Sequence, residues 1–295
     1  MNNNNFVEFK KERDLGAIIT DTFKFIRLEW KPFFSTVIKI SIIPILLAII
    51  TIIFYSAWFS NIFTGIFSSI GGEFGADVFD ITTFMVLLLA LIIFSLVAYA
   101  LVSVSSLSYI KSYINNRGRV NLEEVKDITK RKFGAFIGLY FLNGLIIGIG
   151  AMFCGIPGIY FWVVLSLTYA LLIFENKGVF DSINDAFNFI KGHWWDTFGI
   201  LLVIFLLTIV MDYVSQIPVF IYQLVDMGIS LGSEDPTEVF DILSDPIYLV
   251  LLFFSYFINF LIYMVTLITS VFIYFDINEQ KYASGSIDMI DNLGS

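Results

Sequence analysis

Polar positions along this chain are few, and they gather between long apolar stretches. Charge-free runs cover Ile40–Gly72, Ile81–Ile110, Phe133–Phe174 and Pro246–Phe275, with a shorter one at Thr197–Met211. An α-helix needs about 20 apolar residues to cross the hydrocarbon of a bilayer. The run Phe133–Phe174 is long enough for two crossings, and "CGIPG" (Cys154–Gly158) interrupts it midway. Pro157 suits a first helical turn there, and the glycines suit a tight reversal. The pattern predicts an all-α integral membrane protein with six transmembrane helices.

A second pattern has a helical period. "ITDTFKFIRLEWKPFF" (Ile19–Phe34) nearly recurs as "INDAFNFIKGHWWDTF" (Ile183–Phe198). On a helical wheel Leu15, Ile18, Ile19, Thr22, Phe23, Phe25, Ile26 and Trp30 cover one face of the first phrase. Val179, Phe180, Ile183, Phe187, Ile190 and Trp194 do so in the second. A fainter copy lies at Asn121–Phe136, where Val125 precedes Asp127 as Ile19 precedes Asp21. An amphipathic helix that ends in Trp before a span reads as lying in the cytoplasmic interface. The predicted unit is interfacial helix, span out, span back. It is written three times, at about 14–116, 121–176 and 179–278, within a single polytopic domain, 1–295, that closes in a tail, 279–295. Each unit starts and ends on the same side, so the repeats have parallel topology.

Charge sets the orientation. With these spans all 17 Lys and Arg fall on one side, from Lys10 to Lys39, Lys111 to Lys132, Lys177 to Lys191, and Lys281. By the positive-inside rule both termini are cytoplasmic. Ten of the 26 acids fall on the other side, including Glu73, Asp77 and the "SEDPTEVFD" stretch. The net charge of −9 therefore describes an acidic outer face. The long outer connection, 214–245, is predicted to hold short surface helices.

Composition agrees with a membrane class. The chain is 58% apolar and has 33 Phe, more than a soluble domain of 295 residues can cover with polar surface. The N-terminus has no apolar h-region beside a cleavage site, so it does not read as a signal peptide. Cys154 is the single cysteine, which excludes an intrachain disulfide. His193 is the single histidine, which excludes a multi-histidine metal site. P-loop, HExxH and Rossmann fingerprints are missing. The sequence thus assigns no catalytic residue, cofactor or metal ligand, and no nucleic-acid partner.

Four polar residues inside apolar runs are the candidates for function. Lys39 either snorkels to the headgroups or faces the bundle with a partner. Asn143 and Asn259 suit hydrogen bonds between helices, as do the hydroxyls of "SVSSLSY" (Ser103–Tyr109). Asp212 lies ~27 Å along a helix from Trp194, near the expected outer boundary. Gly134/Gly138 and Gly144/Gly148 have small-xxx-small spacing for close helix packing. Pro44 is the candidate for a helix broken at midplane. On the cytoplasmic side Asp21, Lys24, Arg27, Asp185 and Lys191 form a polar face open to caps, ion pairs or a partner.

The stretch Gly155–Leu206 resembles a known family on particular residues. Pro157, Gly158, Ile159 and Tyr160 open a span, Glu175 and Gly178 close it, Ala186 lies in the amphipathic helix, and Gly192, Trp194 and Trp195 end it. This is similar to the membrane domain of glycerophosphoryl diester phosphodiesterases and related bacterial multispan proteins. The resemblance implies a helical bundle in the bacterial cytoplasmic membrane. It does not imply phosphodiesterase activity, since that family's catalysis belongs to a separate soluble barrel. Stand-alone relatives encoded near MoxR-type ATPases would imply a complex subunit. The leading expectation is a non-enzymatic membrane subunit or scaffold of a bacterial cytoplasmic-membrane complex. The alternative is a transporter or lipid-handling protein, which a polar cavity at midplane would favour.

Overall fold

The structure, a computed structural model, describes residues 6–68, 78–153, 155–230, 242–243 and 245–283. Helices account for nearly all of them: α1 (Leu15–Ser68), α2 (Val78–Asn115), α3 (Leu122–Met152), α4 (Ile156–Leu165), α5 (Thr168–Phe174), α6 (Val179–Phe189), α7 (Trp194–Ser230) and α8 (Pro246–Tyr282). Six stretches are long and apolar enough to cross a membrane: α1, α2, α3, α4 with α5, α7 and α8. The chain is an all-α, multi-pass membrane protein. Cys154, most of the acidic outer stretch and the end of the tail lie outside the described residues.

Two compact units divide the chain. Unit 1 comprises Met1–Ser41, Tyr99–Thr208 and Tyr263–Ser295, and unit 2 comprises Ile42–Ala98 and Ile209–Ile262. Helices α1, α2, α7 and α8 each contribute a segment to both.

The amphipathic phrase expected at the start of each unit is separate from the long helix that follows it in only one of the three places. In the last copy α6 is short and strongly amphipathic, and it ends before α7 begins at Trp194. In the first copy the phrase runs unbroken into the span, because α1 is one helix of 54 residues. The cause is one residue. Gly192 adopts φ +87°, a left-handed conformation that ends a helix. The matching position is Leu28, which continues one. The middle copy is likewise continuous within α3, which begins at Asn121, whose side-chain oxygen caps the Glu123 and Glu124 N–H groups.

Unit 1 is held by an aromatic core that the irregular N-terminal segment helps to build. Residues 6–13 are not helical, yet Val7 and Phe9 are buried. Phe9 stacks on Phe272 with centroids 4.3 Å apart and meets Phe25 and Tyr113 edge-on. The Val7 N–H donates to the Tyr113 hydroxyl at 2.9 Å. On α1 Ile18, Thr22, Phe25, Phe33 and Val37 turn into this core, while Leu15, Phe23 and Trp30 stay exposed.

Helices α3 and α4 pack most closely at two glycines. A Cβ on Gly150 would lie 2.8 Å from a Phe161 ring carbon, and one on Gly158 would lie 2.9 Å from the Ala151 backbone. The predicted contact glycines do not do this. Gly134, Gly144 and Gly148 have nothing within 4 Å among the described residues, and Gly138 meets only Val179 at 3.9 Å. Spacing placed them on a helix face but could not say which face has a neighbour.

In unit 2 a small cluster forms from Val219, Ile242, Tyr248 and Leu252. Helix α7 does not stop near Val214 as the sequence suggested. It continues to Ser230 with Pro218 inside it. Asp245 then starts α8 by accepting from the Ile247 and Tyr248 N–H groups, with Pro246 in the first turn.

Candidate functional site: a cavity among the helices of unit 1

The fourth span is interrupted by a short turn in which Ser166 and Leu167 both keep right-handed helical backbone. It breaks at Ser166–Leu167 into α4 and α5. Two hydroxyls cover carbonyls at the break: Ser166 Oγ donates to Val163 O at 2.8 Å, and Thr168 Oγ1 to Leu165 O at 2.6 Å. Such back-bonding lets a helix bend inside an apolar medium without stranding backbone groups. Pro44, the residue expected to mark a break, lies within unbroken α1.

Beside this break is a cavity of about 190 Å³. Its polar lining is Tyr140, Asn143, Ser166, Tyr169, Tyr263, Thr266 and Ser270, and its apolar lining includes Ile147, Trp162 and Leu201. Along their helices Tyr169, Tyr140 and Tyr263 lie ~9, ~12 and ~20 Å from Glu175, Lys132 and Asp276, the nearest charges. A hydrocarbon core of ~30 Å places that depth well inside the apolar layer. One wall is a hydroxyl triad. Ser103 Oγ lies 2.6 Å from the Tyr140 hydroxyl and 2.9 Å from that of Tyr263, and the two tyrosine hydroxyls also pair directly. Tyr99 and Tyr169 pack edge-on and tilted against these rings.

Asn143 supplies the unmatched group. It is 3% exposed. Its Nδ2 donates to Thr168 Oγ1 at 2.9 Å, while its Oδ1 has no hydrogen-bond partner among the described residues. A buried acceptor left without a donor costs about 1–3 kcal/mol. No carboxylate, lysine, arginine or histidine lines the cavity. A charged ligand would be desolvated there without a counter-ion, so the chemistry suits a neutral hydrogen-bond donor. A cavity of that volume is on the scale of a small-molecule occupant.

The other candidates are placed elsewhere. In unit 2 Asn259 Nδ2 donates to Asp212 Oδ1 at 3.0 Å, so two residues named separately from the sequence form one link between α7 and α8. Lys39 is exposed on α1 and does not enter the bundle interior. Asp21 and Asp185 are in ion pairs, one of the roles the sequence left open for them. Arg13 Nε pairs with Asp21 at 2.9 Å, and Lys177 pairs with Asp185 at 2.6 Å and with Glu175 at 2.5 Å. Lys191 reaches back to Asn188 Oδ1 at 2.7 Å. Lys24 and Arg27 are exposed and make no ion pair among the described residues.

Sequence reasoning missed the helix break, the tyrosine triad and Arg13. "LSLT" (Leu165–Thr168) carried the signal for the break, since hydroxyls two apart in an apolar run favour bending. Arg13 is nearly buried. Its backbone N–H donates to Asp276 Oδ1 at 2.7 Å, its guanidinium caps the Phe9 and Lys11 carbonyls, and it lies 4.9 Å over the Phe272 ring.

Fold and cavity together define a polytopic α-helical membrane protein with a mostly apolar cavity that carries a few uncharged polar groups. No protein-family model, curated protein or solved structure matches the chain.

Proposed function

We propose that this protein binds a small uncharged polar solute within unit 1 and passes it across the membrane. The observation that carries this reading is a cavity inside unit 1 lined by uncharged hydrogen-bonding side chains, Asn143 among them, beside the turn at Ser166–Leu167. Broken helices that line polar cavities are the usual way membrane proteins expose binding groups at depth. Reconstituted protein should speed glycerol or urea entry into liposomes, followed by light scattering. Asn143→Leu, similar in volume but without the acceptor, should slow it. Entry equal to that of empty vesicles, or unaltered by Asn143→Leu in protein that melts cooperatively, rejects the reading.

In this proposal the chain resides in a bacterial cytoplasmic membrane with both termini inside. Its three parallel units and its likeness to the membrane domain of glycerophosphoryl diester phosphodiesterases support that placement.

A second reading, a non-enzymatic subunit of a membrane complex, is favoured by Lys24 and Arg27. Two exposed cations on one helix of the cytoplasmic side offer an acidic partner a docking face, and a complex linked to a MoxR-type ATPase would be one such setting. Affinity purification at native expression in mild detergent should recover stoichiometric proteins that a Lys24→Glu/Arg27→Glu variant loses. Recovery of the chain alone would eliminate it.

A further inference from the structure

A groove of about 460 Å³ runs beside α1 in unit 1, lined among others by Glu29, Ser35, Thr36, Lys39, Tyr109 and Gly118. Lys39 is the deepest cation of the chain's first span, eight residues and ~12 Å beyond Lys31 along α1. It shares the groove with Gly118, which belongs to the turn between α2 and α3. Its ammonium therefore extends toward the basic side of the molecule, as a snorkelling lysine does.

Two opposite charges face this groove without meeting. Lys39 has no hydrogen bond or ion pair among the described residues. Glu29 Oε2 accepts from the Tyr109 hydroxyl at 2.8 Å, and its other oxygen has no partner among them. They do not pair with each other, so the groove presents a cation and a carboxylate oxygen that are both unneutralised. Ten residues, ~15 Å along α1, separate the two, so a ligand that bridges what their side chains leave open needs an anion at one end and an N–H cation at the other.

We propose that this groove holds the headgroup of a phosphatidylethanolamine-type lipid. Its phosphate lies on Lys39 with hydroxyl donors from Ser35 and Thr36, and its primary ammonium donates to the free oxygen of Glu29. The chemistry discriminates among headgroups. A quaternary ammonium has no N–H to give Glu29, and an anionic headgroup without an amine brings like charge beside that carboxylate. Lys39 stands in an apolar run, where phospholipid is the phosphate source at hand, so the lipid is favoured over free phosphoethanolamine. The site is separate from the solute cavity and does not rest on its role.

The test uses the full chain in nanodiscs of phosphatidylcholine doped with phosphatidylethanolamine or phosphatidylglycerol, with retained lipid read by native mass spectrometry. Wild type should retain phosphatidylethanolamine over both others. Lys39→Met should lower that retention roughly fivefold, the effect of about one lysine at a lipid surface. Glu29→Gln, which can still accept from Tyr109, should keep phospholipid but lose the preference for the primary amine. Equal retention of the three lipids by wild type overturns the proposal, as does a preference that survives Glu29→Gln. Soluble phosphoethanolamine displacing the lipid at millimolar concentration would assign the site to free headgroup instead.

Discussion

Single side chains set where these helices touch and where they stay open. Gly150 and Gly158 allow α3 and α4 to approach backbone to backbone, with no room for a Cβ at either position. Gly158→Val should therefore lower stability by about 1–3 kcal/mol, the usual cost of forcing atoms into a packed contact. Gly148→Ala has nothing within 4 Å to meet and should be neutral or stabilise by a few tenths of a kcal/mol. Thermal melts in one detergent compare the two, and equal losses would refute the assignment of the contact. The sequence marked both residues as small but held no information on which had a neighbour. Polar residues divide in the same way. Asp212 and Asn259 were legible as unusual, yet only the packing of α7 on α8 shows that they bond to each other. Asn143 was legible as an interhelical donor, which it is to Thr168. That Asn143 also lines a cavity depends on residues from four separate stretches of chain.

Helix ends follow local rules, and the repeat shows how little separates two outcomes. Gly192 ends α6, whereas Leu28 carries α1 onward. The copies nevertheless share an ion pair. Arg13–Asp21 and Lys177–Asp185 each join residues eight apart and occupy matching positions in the two phrases. The middle copy has Arg119 and Asp127 at the same spacing, but Asp127 pairs with Arg131 at 2.8 Å instead. Lys177 lies outside the spans, and its environment makes it a pH reporter. Burial alone would pull its ammonium down, but hydrogen bonds and charge from Asp185 and Glu175 outweigh that and hold it above its ordinary 10.5. A cation bound more tightly to its proton when folded stabilises fully below its unfolded value and loses that contribution as pH rises through the folded one. The gap in melting temperature between wild type and Lys177→Met should be constant from pH 7 to about 10 and close above about 10.5. A gap that is unchanged up to pH 12 would exclude this cluster as its source.

The molecule as a whole presents two units and one strongly biased charge pattern. Its proposed orientation rests on the bias, because 17 basic residues gather beside alternate ends of the spans. The single cysteine makes a direct test. With both termini inside, Cys154 belongs to an outer connection, so a membrane-impermeant maleimide should label intact cells expressing the wild-type chain. Asn116→Cys in a Cys154→Ser background should label only after lysis. The reverse pattern would invert the topology. Cys154 follows α3 in the sequence and the α2–α3 turn precedes it, so the two labels also check that α3 spans the bilayer.

Hydrophobic runs by themselves determined six spans, the all-α class and the midway reversal at Gly155–Gly158, because a bilayer demands one length and satisfied backbone bonds whatever the neighbours are. Composition also fixed the absence of a disulfide and of a multi-histidine site, since one cysteine and one histidine cannot make either. Tertiary structure alone decided that α1 absorbs its amphipathic phrase, that the fourth span breaks at Ser166–Leu167, that Phe9 and Arg13 fold into the core of unit 1, and that Tyr140, Tyr263 and Ser103 meet. Those outcomes depend on which faces find partners across the chain, and a helical period specifies a face without specifying what will lie against it.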